Sequence, residues 1–261
     1  MGIKVAARRA LHGLIRLRLL RQWRRRLQGG VPVSLSPPDA LIWVRPGDVQ
    51  ETQRLSRTEQ ETLPAPLNGY RFDKWAAAGL VLDGDWDRST VPVATLSSAI
   101  AYRKLFEQGV SWEEIPEMHA DIKRAERKAR RYCVPWKSKQ FVERRIALLA
   151  KMHEAFQHQE YGLQRQLTGR SLDELAVNIG RDGRLIRNSS AEHRLVIAQL
   201  AGLEWMPARV VARHAEWETI RRKITRLAGD SEAPPELQPY LEHPDVQALR
   251  TTEPTPGTFP S

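Results

Sequence analysis

The chain has 261 residues, 41% of them hydrophobic and 28% charged, which is ordinary for a folded domain with a real core and unlike a disordered chain. Its one cysteine, Cys133, excludes an internal disulfide and a cysteine-based zinc cluster, and no run of about eighteen uncharged apolar residues supplies a membrane-spanning helix. The net charge is +10, yet residues 1–30 hold Lys4, Arg8, Arg9, Arg16, Arg18, Arg21, Arg24, Arg25 and Arg26 with no acid, so the rest of the chain is close to neutral and a basic globular face is not demanded.

Residues 3–27 read as a helix that Gly29-Gly30 closes. Its leucines and Trp23 are interrupted by arginines and do not gather on one clean face. The segment reads either as a basic arm for an anionic membrane surface or nucleic acid, or as a solvated arm with no partner. With a lone cysteine, the expected location is cytoplasmic, peripheral at the inner membrane if the arm binds there.

After Pro37-Pro38, Ala40 to Val44 is a short apolar strand stopped by Arg45-Pro46-Gly47-Asp48. Residues 50–69 are polar, contain Pro64 and Pro66, and read as a loop. Ala76 to Leu82 is a short buried strand or helical turn. Asp83-Gly84-Asp85-Trp86-Asp87 lacks the full calcium-loop pattern and reads as a turn made by aspartates around an anchoring Trp86. From Ser97 to Leu167 the pattern is helical, with one helix around Tyr102 and Leu105 and a long one over Lys139 to Leu167. His119, His153 and His158 have no spacing suited to a metal and read as surface or half-buried residues. The mixed charges of Arg124 to Arg131 read as a solvated helix face.

The period then changes. Leu175 to Ile179 is a strand, Gly180-Arg181-Asp182-Gly183 a turn, Arg184 to Arg187 the return strand, and Ser190 to Leu200 a helix that Gly202 stops. Met206 to Val211 is a further strand and Ala215 to Leu227 a last helix. Residues 229–261 contain seven prolines and read as loose, with at most one turn near Leu237 to Leu241.

The strand-to-helix junction at residues 187–194 carries the chemistry. Ser189 as N-cap and Glu192 three residues on form a capping box. The positive end of a helix suits phosphate, Arg187 and Arg194 add bidentate donors, and His193 is suited to hold a proton near neutral pH. The bland alternative is a capping box that needs no ligand. His214, after a strand at a sheet end, is a supporting candidate beside Asp182.

The succession of Gly180-Arg181-Asp182-Gly183, Ser190-Ala191-Glu192-His193-Arg194-Leu195, Gly202-Leu203 and the strand from Pro207 to Val211 resembles the ParB/sulfiredoxin superfamily, closely over about a sixth of the chain. The strings Gly84-Asp85-Trp86-Asp87 and Val211 to Trp217 also resemble prokaryotic proteins carrying that domain. The resemblance implies an α+β fold: a small mixed sheet interrupted by a mainly helical insertion. It divides the chain into a basic helical arm (1–30), a first strand (31–50), the insertion (51–170), the ParB/sulfiredoxin-like core (171–228) and a Pro-rich tail (229–261). It implies nucleotide or phosphate binding by Ser189, Ser190, His193, Arg194 and Arg187, with Glu192 and His193 as catalytic candidates, Asp182 and His214 in support, and no protein-held metal. CTP or ATP with magnesium is the implied ligand, with NTP hydrolysis or phosphoryl transfer as the implied chemistry. Ser190 and Ala191 stand where relatives often have glycines. Glu192 stands where sulfiredoxins have their reactive cysteine, which turns the expectation away from sulfiredoxin chemistry and toward ParB proteins and serine kinases of the same fold. A DNA-binding or nuclease-like ParB-type protein and a non-enzymatic membrane-surface scaffold are the rival expectations.

Overall fold

The computed structural model describes residues 2–61, 63, 77–119, 123, 138–170, 172–227 and 233–250. In chain order the elements are α1 (Gly2–Gln28), β1 (Leu41–Val44), β2 (Glu51–Gln53), α2 (Arg57–Glu61), β3 (Leu80–Leu82), β4 (Thr90–Pro92), α3 (Ser97–Phe106), α4 (Ser138–Gln157), α5 (Gln164–Leu167), β5 (Leu175–Ile179), β6 (Leu185–Arg187), α6 (Glu192–Leu200), β7 (Met206–His214), α7 (Ala215–Arg226) and α8 (Pro244–Arg250), with short 3-10 turns between them. The class is α+β, as expected. The chain divides into two units: Met1–Val91 with Gly162–Ser190 and Met206–Ser261, and Pro92–Tyr161 with Ala191–Trp205.

The first unit is built on a mixed seven-stranded sheet in the order β1-β7-β5-β6-β2-β4, with β3 also paired to β7. β7 organises it. All nine of its residues are buried, and strands flank it on both edges. Parallel β5 lies along one edge, and antiparallel β1 and parallel β3 share the other, β1 beside Met206 to Arg209 and β3 beside Ala212 to His214. β5 is likewise buried throughout. Strands covered on both faces read as continuous apolar runs rather than alternating ones, as Leu175 to Ile179 does. β5 and β6 are the expected hairpin. Its turn needs Gly183, which sits at φ 88 and where a Cβ would stand 2.9 Å from the ring of Trp217.

Residues 51–53, 80–82 and 90–92 are strands of this sheet, so among the described residues the stretch read as a mainly helical insertion from residue 51 contributes three strands and the short α2 before α3 begins at Ser97. β2 escapes a pattern reading because Glu51-Thr52-Gln53 is polar. Thr52 is buried all the same, its hydroxyl bonded to the carbonyl of Arg187 across the parallel β2–β6 pair. The tail is corrected as well. Residues 233–250 are structured, and α8 inserts a completely buried Asp245 and Val246 into the unit. Residues 251–261, the run Arg124 to Arg131, Cys133, and the prolines at 64 and 66 lie outside the described residues.

In the second unit α3 and α4 both pack against α6. Ala101, Tyr102, Leu149, Phe156, Leu195 and Ile197 are buried there. The ring of His153 stacks on Phe106 with centroids 4.4 Å apart, and partial burial lowers its pKa. Among the described residues of the whole chain, no helix is long and apolar enough to cross a membrane.

Candidate functional site

Three of the sequence-predicted residues, Glu192, His193 and Arg194, form the first turn of α6 and belong to the second unit. The helix does not start with the expected capping box. Its N-cap is Ala191, in the left-handed region at φ 58 and ψ 27, and a methyl group cannot cap. Ser189 is two residues upstream of that point and exposed. The Glu192 carboxylate instead accepts a hydrogen bond from Ser98 of α3 at 2.8 Å. An N-cap reading looks only at local spacing, whereas this carboxylate found a partner 94 residues away.

His193 is held from both sides. Its Nδ1 lies 2.6 Å from the hydroxyl of Tyr102, and its Nε2 lies 3.1 Å from a guanidinium nitrogen of Arg145 on α4. A guanidinium can only donate, so Nε2 is the acceptor, and the imidazole proton is on Nδ1, directed at the phenolic oxygen. This is a neutral histidine in a defined tautomer, next to a cation. Tyr102 is completely buried and packs its ring 5.6 Å from that of His193. Arg194 donates to the hydroxyl of Tyr161 at 3.1 Å. Glu192, His193, Arg194 and Arg145 are all partly exposed. The turn thus gathers two guanidinium groups, an imidazole and a carboxylate at the positive end of a helix.

The other predicted residues lie in the first unit. Arg187 is buried and donates to the Thr52 hydroxyl at 2.7 Å. Ser190 is buried too. Asp182 is exposed and braces its own turn through Arg184, accepting from the backbone N–H at 3.1 Å and from Nε at 2.7 Å. His214 is completely buried and caps α7: Nδ1 accepts from the Glu216 N–H at 3.2 Å, which leaves Nε2–H to donate to the Gly84 carbonyl at 2.9 Å. It does not bond Asp182.

The aspartate turn of residues 83–87 is as expected. Trp86 is buried with its indole N–H on the Leu82 carbonyl. Arg181 turns its guanidinium to Asp87 and Asp85 at 2.8 Å each and to the Gly84 carbonyl at 2.9 Å. The buried Asp87 is pulled two ways: burial would raise its pKa, but the bonds from Arg181 outweigh that and hold it below the usual range. These carboxylates answer an arginine rather than converge on a cation. A cavity of about 250 Å³ in the same unit lies beside Leu55, Glu59, Asp85 and Trp86, and none of the predicted site residues lines it.

Sequence reasoning missed Ser98, Tyr102, Arg145 and Tyr161, which among the described residues bond the side chains of the α6 turn. Tyr102 reads as core on its helical spacing, and nothing near Arg145 in the chain marks it among so many arginines. Comparison with protein-family models, with curated proteins and with solved structures finds no match to this chain.

Proposed function

We propose that the chain binds a nucleotide or another phosphorylated ligand at the first turn of α6, through Arg145, His193 and Arg194. The bond from Arg145 to Nε2 of His193 carries this reading. A guanidinium whose partner is a neutral imidazole keeps its charge, and exchanging that partner for a phosphate oxygen gains it a charge-assisted, bidentate contact. Arg194, one residue on in the same helical turn, adds a second guanidinium beside it. The exchange would also release the Nε2 lone pair as a proton acceptor.

CTP or ATP with magnesium is the ligand class this reading favours, with NTP hydrolysis or phosphoryl transfer as its chemistry. In that chemistry the arginines stabilise charge on the transferred group, and Glu192 or His193 accepts the proton of the attacking water or hydroxyl. The assignment to the ParB/sulfiredoxin type belongs to the same proposal. What supports it is the chain order of β5, an Arg181-Asp182-Gly183 turn, β6, α6 and a β7 that begins Met206-Pro207. Further support comes from Ala191, which adopts a left-handed conformation natural to glycine at a position where relatives often have glycine.

Isothermal titration of the full chain with CTP, ATP and ADP, with and without magnesium, tests the proposal. The expected result is binding that Arg194→Ala and Arg145→Ala each weaken about tenfold or more. No heat from any of the three at millimolar concentration overturns it.

A further inference from the structure

The basic N-terminal helix is fixed to its unit along one side. Leu19 is buried with Ala78 and Leu172, and Ile15 packs beside them. Trp23 packs on the cluster around Leu80 and Val211. Gly79, at φ 77, lets that indole come so near that a Cβ there would stand 2.9 Å from it. Polar contacts hold the same side. The Trp23 indole N–H donates to the Ser34 carbonyl at 3.3 Å, His12 Nδ1 accepts from the Leu172 N–H at 3.4 Å, and Arg16 pairs with Asp39.

With that side docked, the rotation of about 100° per residue sends Leu14, Leu17, Arg21 and Arg24 outward, with Leu11, Arg18 and Arg25 on the flank. Leu11, Leu14, Leu17 and Leu27 are 56%, 66%, 51% and 56% exposed. They are four of the seven large hydrophobic side chains that the described residues leave exposed, so the apolar exposure is concentrated on this one helix. Arg18, Arg21, Arg24 and Arg25 are exposed among them. Packing accounts for the inward Leu19 and Trp23 and gives no reason for the outward leucines.

We infer that the outward side of α1 docks on a bilayer surface containing anionic lipid. The arginines meet lipid phosphates, and the leucines enter the boundary between headgroups and acyl chains. The two residue types together decide the partner. Arginines alone would suit any polyphosphate, but an exposed leucine gains only by leaving water, and a nucleic-acid backbone offers it no apolar phase. A second copy of the same face is disfavoured by like charge, since residues 1–30 contain no acid to oppose the arginines. The helix lies on the bilayer and does not span it.

The test is co-sedimentation of the full chain with vesicles of equimolar phosphatidylglycerol and phosphatidylcholine, with vesicles of phosphatidylcholine alone, and with duplex DNA as competitor. Two double variants, Leu14→Ser with Leu17→Ser and Arg21→Glu with Arg24→Glu, change only outward positions, and circular dichroism checks their fold. Binding to the anionic vesicles alone is expected, with each double variant lowering it about tenfold or more. No sedimentation overturns the inference. So does binding that the leucine pair leaves unchanged, which would reduce the effect to charge, and so does DNA that strips the chain from the vesicles, which would assign the helix to nucleic acid.

Discussion

The phenolic oxygen of Tyr102 and Nδ1 of His193 are 2.6 Å apart, and the guanidinium of Arg145 on Nε2 sets the direction of that contact. The tautomer with its proton on Nδ1 is the one that leaves Nε2 for the guanidinium. Nitrogen chemical shifts of the His193 ring at neutral pH should report Nδ1–H, and a spectrum of the Nε2–H form would refute the arrangement. Tyr102→Phe keeps the buried ring and removes the acceptor. It should lower stability by about 1 kcal/mol in urea denaturation and, with Arg145 still on Nε2, leave the His193 tautomer unchanged.

Ala191 bears a cost that glycine would not. At φ 58 its methyl group crowds the backbone, which disfavours that region by about 1 kcal/mol or more. Ala191→Gly should therefore stabilise the chain by up to about 1 kcal/mol, net of the entropy that glycine loses on folding. A raised urea midpoint with an unchanged slope is the expected record. A lowered midpoint would mean that the left-handed turn before α6 is not what the chain adopts in solution.

What could be read from the sequence was what local pattern encodes. The Leu175 to Arg187 hairpin announces itself by two apolar runs around an Arg-Asp-Gly turn, and β7 and α7 by a change of period. β2 could not be read because Thr52 is buried for its hydroxyl, not for apolar surface. The start of α6 was misread because Glu192 answers Ser98 in a distant helix, while the capping rule sees only Ser189. The tail was misread for a similar reason. Seven prolines argue for looseness, yet Asp245 has partners 24 to 32 residues upstream that no local window contains. Of the candidate site, the residues on α6 were legible and the residues that orient them were not.

Asp245 is the centre of a buried ionic cluster. Its carboxylate accepts from Arg213 Nε and from the Trp217 indole, each at 2.9 Å, and pairs with Arg221 at the same distance. Glu218 pairs with Arg221 and accepts the Leu35 N–H at 2.7 Å. Two arginines thus balance two acids out of water. Asp245→Asn leaves one positive charge uncompensated, and breaking a buried pair in this way costs about 3–5 kcal/mol. The variant should lose that much stability in urea denaturation and expose α8 to proteolysis. A loss near zero would show that α8 does not bury this residue.

Acid should act on the same region in two stages. Burial lowers the pKa of His243, against the pull of Asp245, while the charges of Arg221 and Arg213 push it the same way as burial. Its ring is neutral in the fold, donating from Nε2 to the Gly183 carbonyl at 2.9 Å and accepting the Asp245 N–H at Nδ1. The unfolded chain takes up a proton near pH 6.5 that the folded chain refuses, so stability present above about pH 6.5 falls as the pH drops through that value. His153, lowered by burial, adds to the loss with the same sign. Asp245 follows. Burial alone would raise its pKa, but the charges of Arg213 and Arg221 and the hydrogen bonds from Arg213 and Trp217 hold it far below the carboxylate range. Its contribution is complete above about pH 4 and is lost progressively below, where the unfolded carboxyl is already protonated. Urea midpoints measured from neutral to acid pH should decline first near pH 6.5 and again below about pH 4. His243→Gln should flatten the first decline and leave the second. A first decline unchanged in that variant would remove His243 from the account.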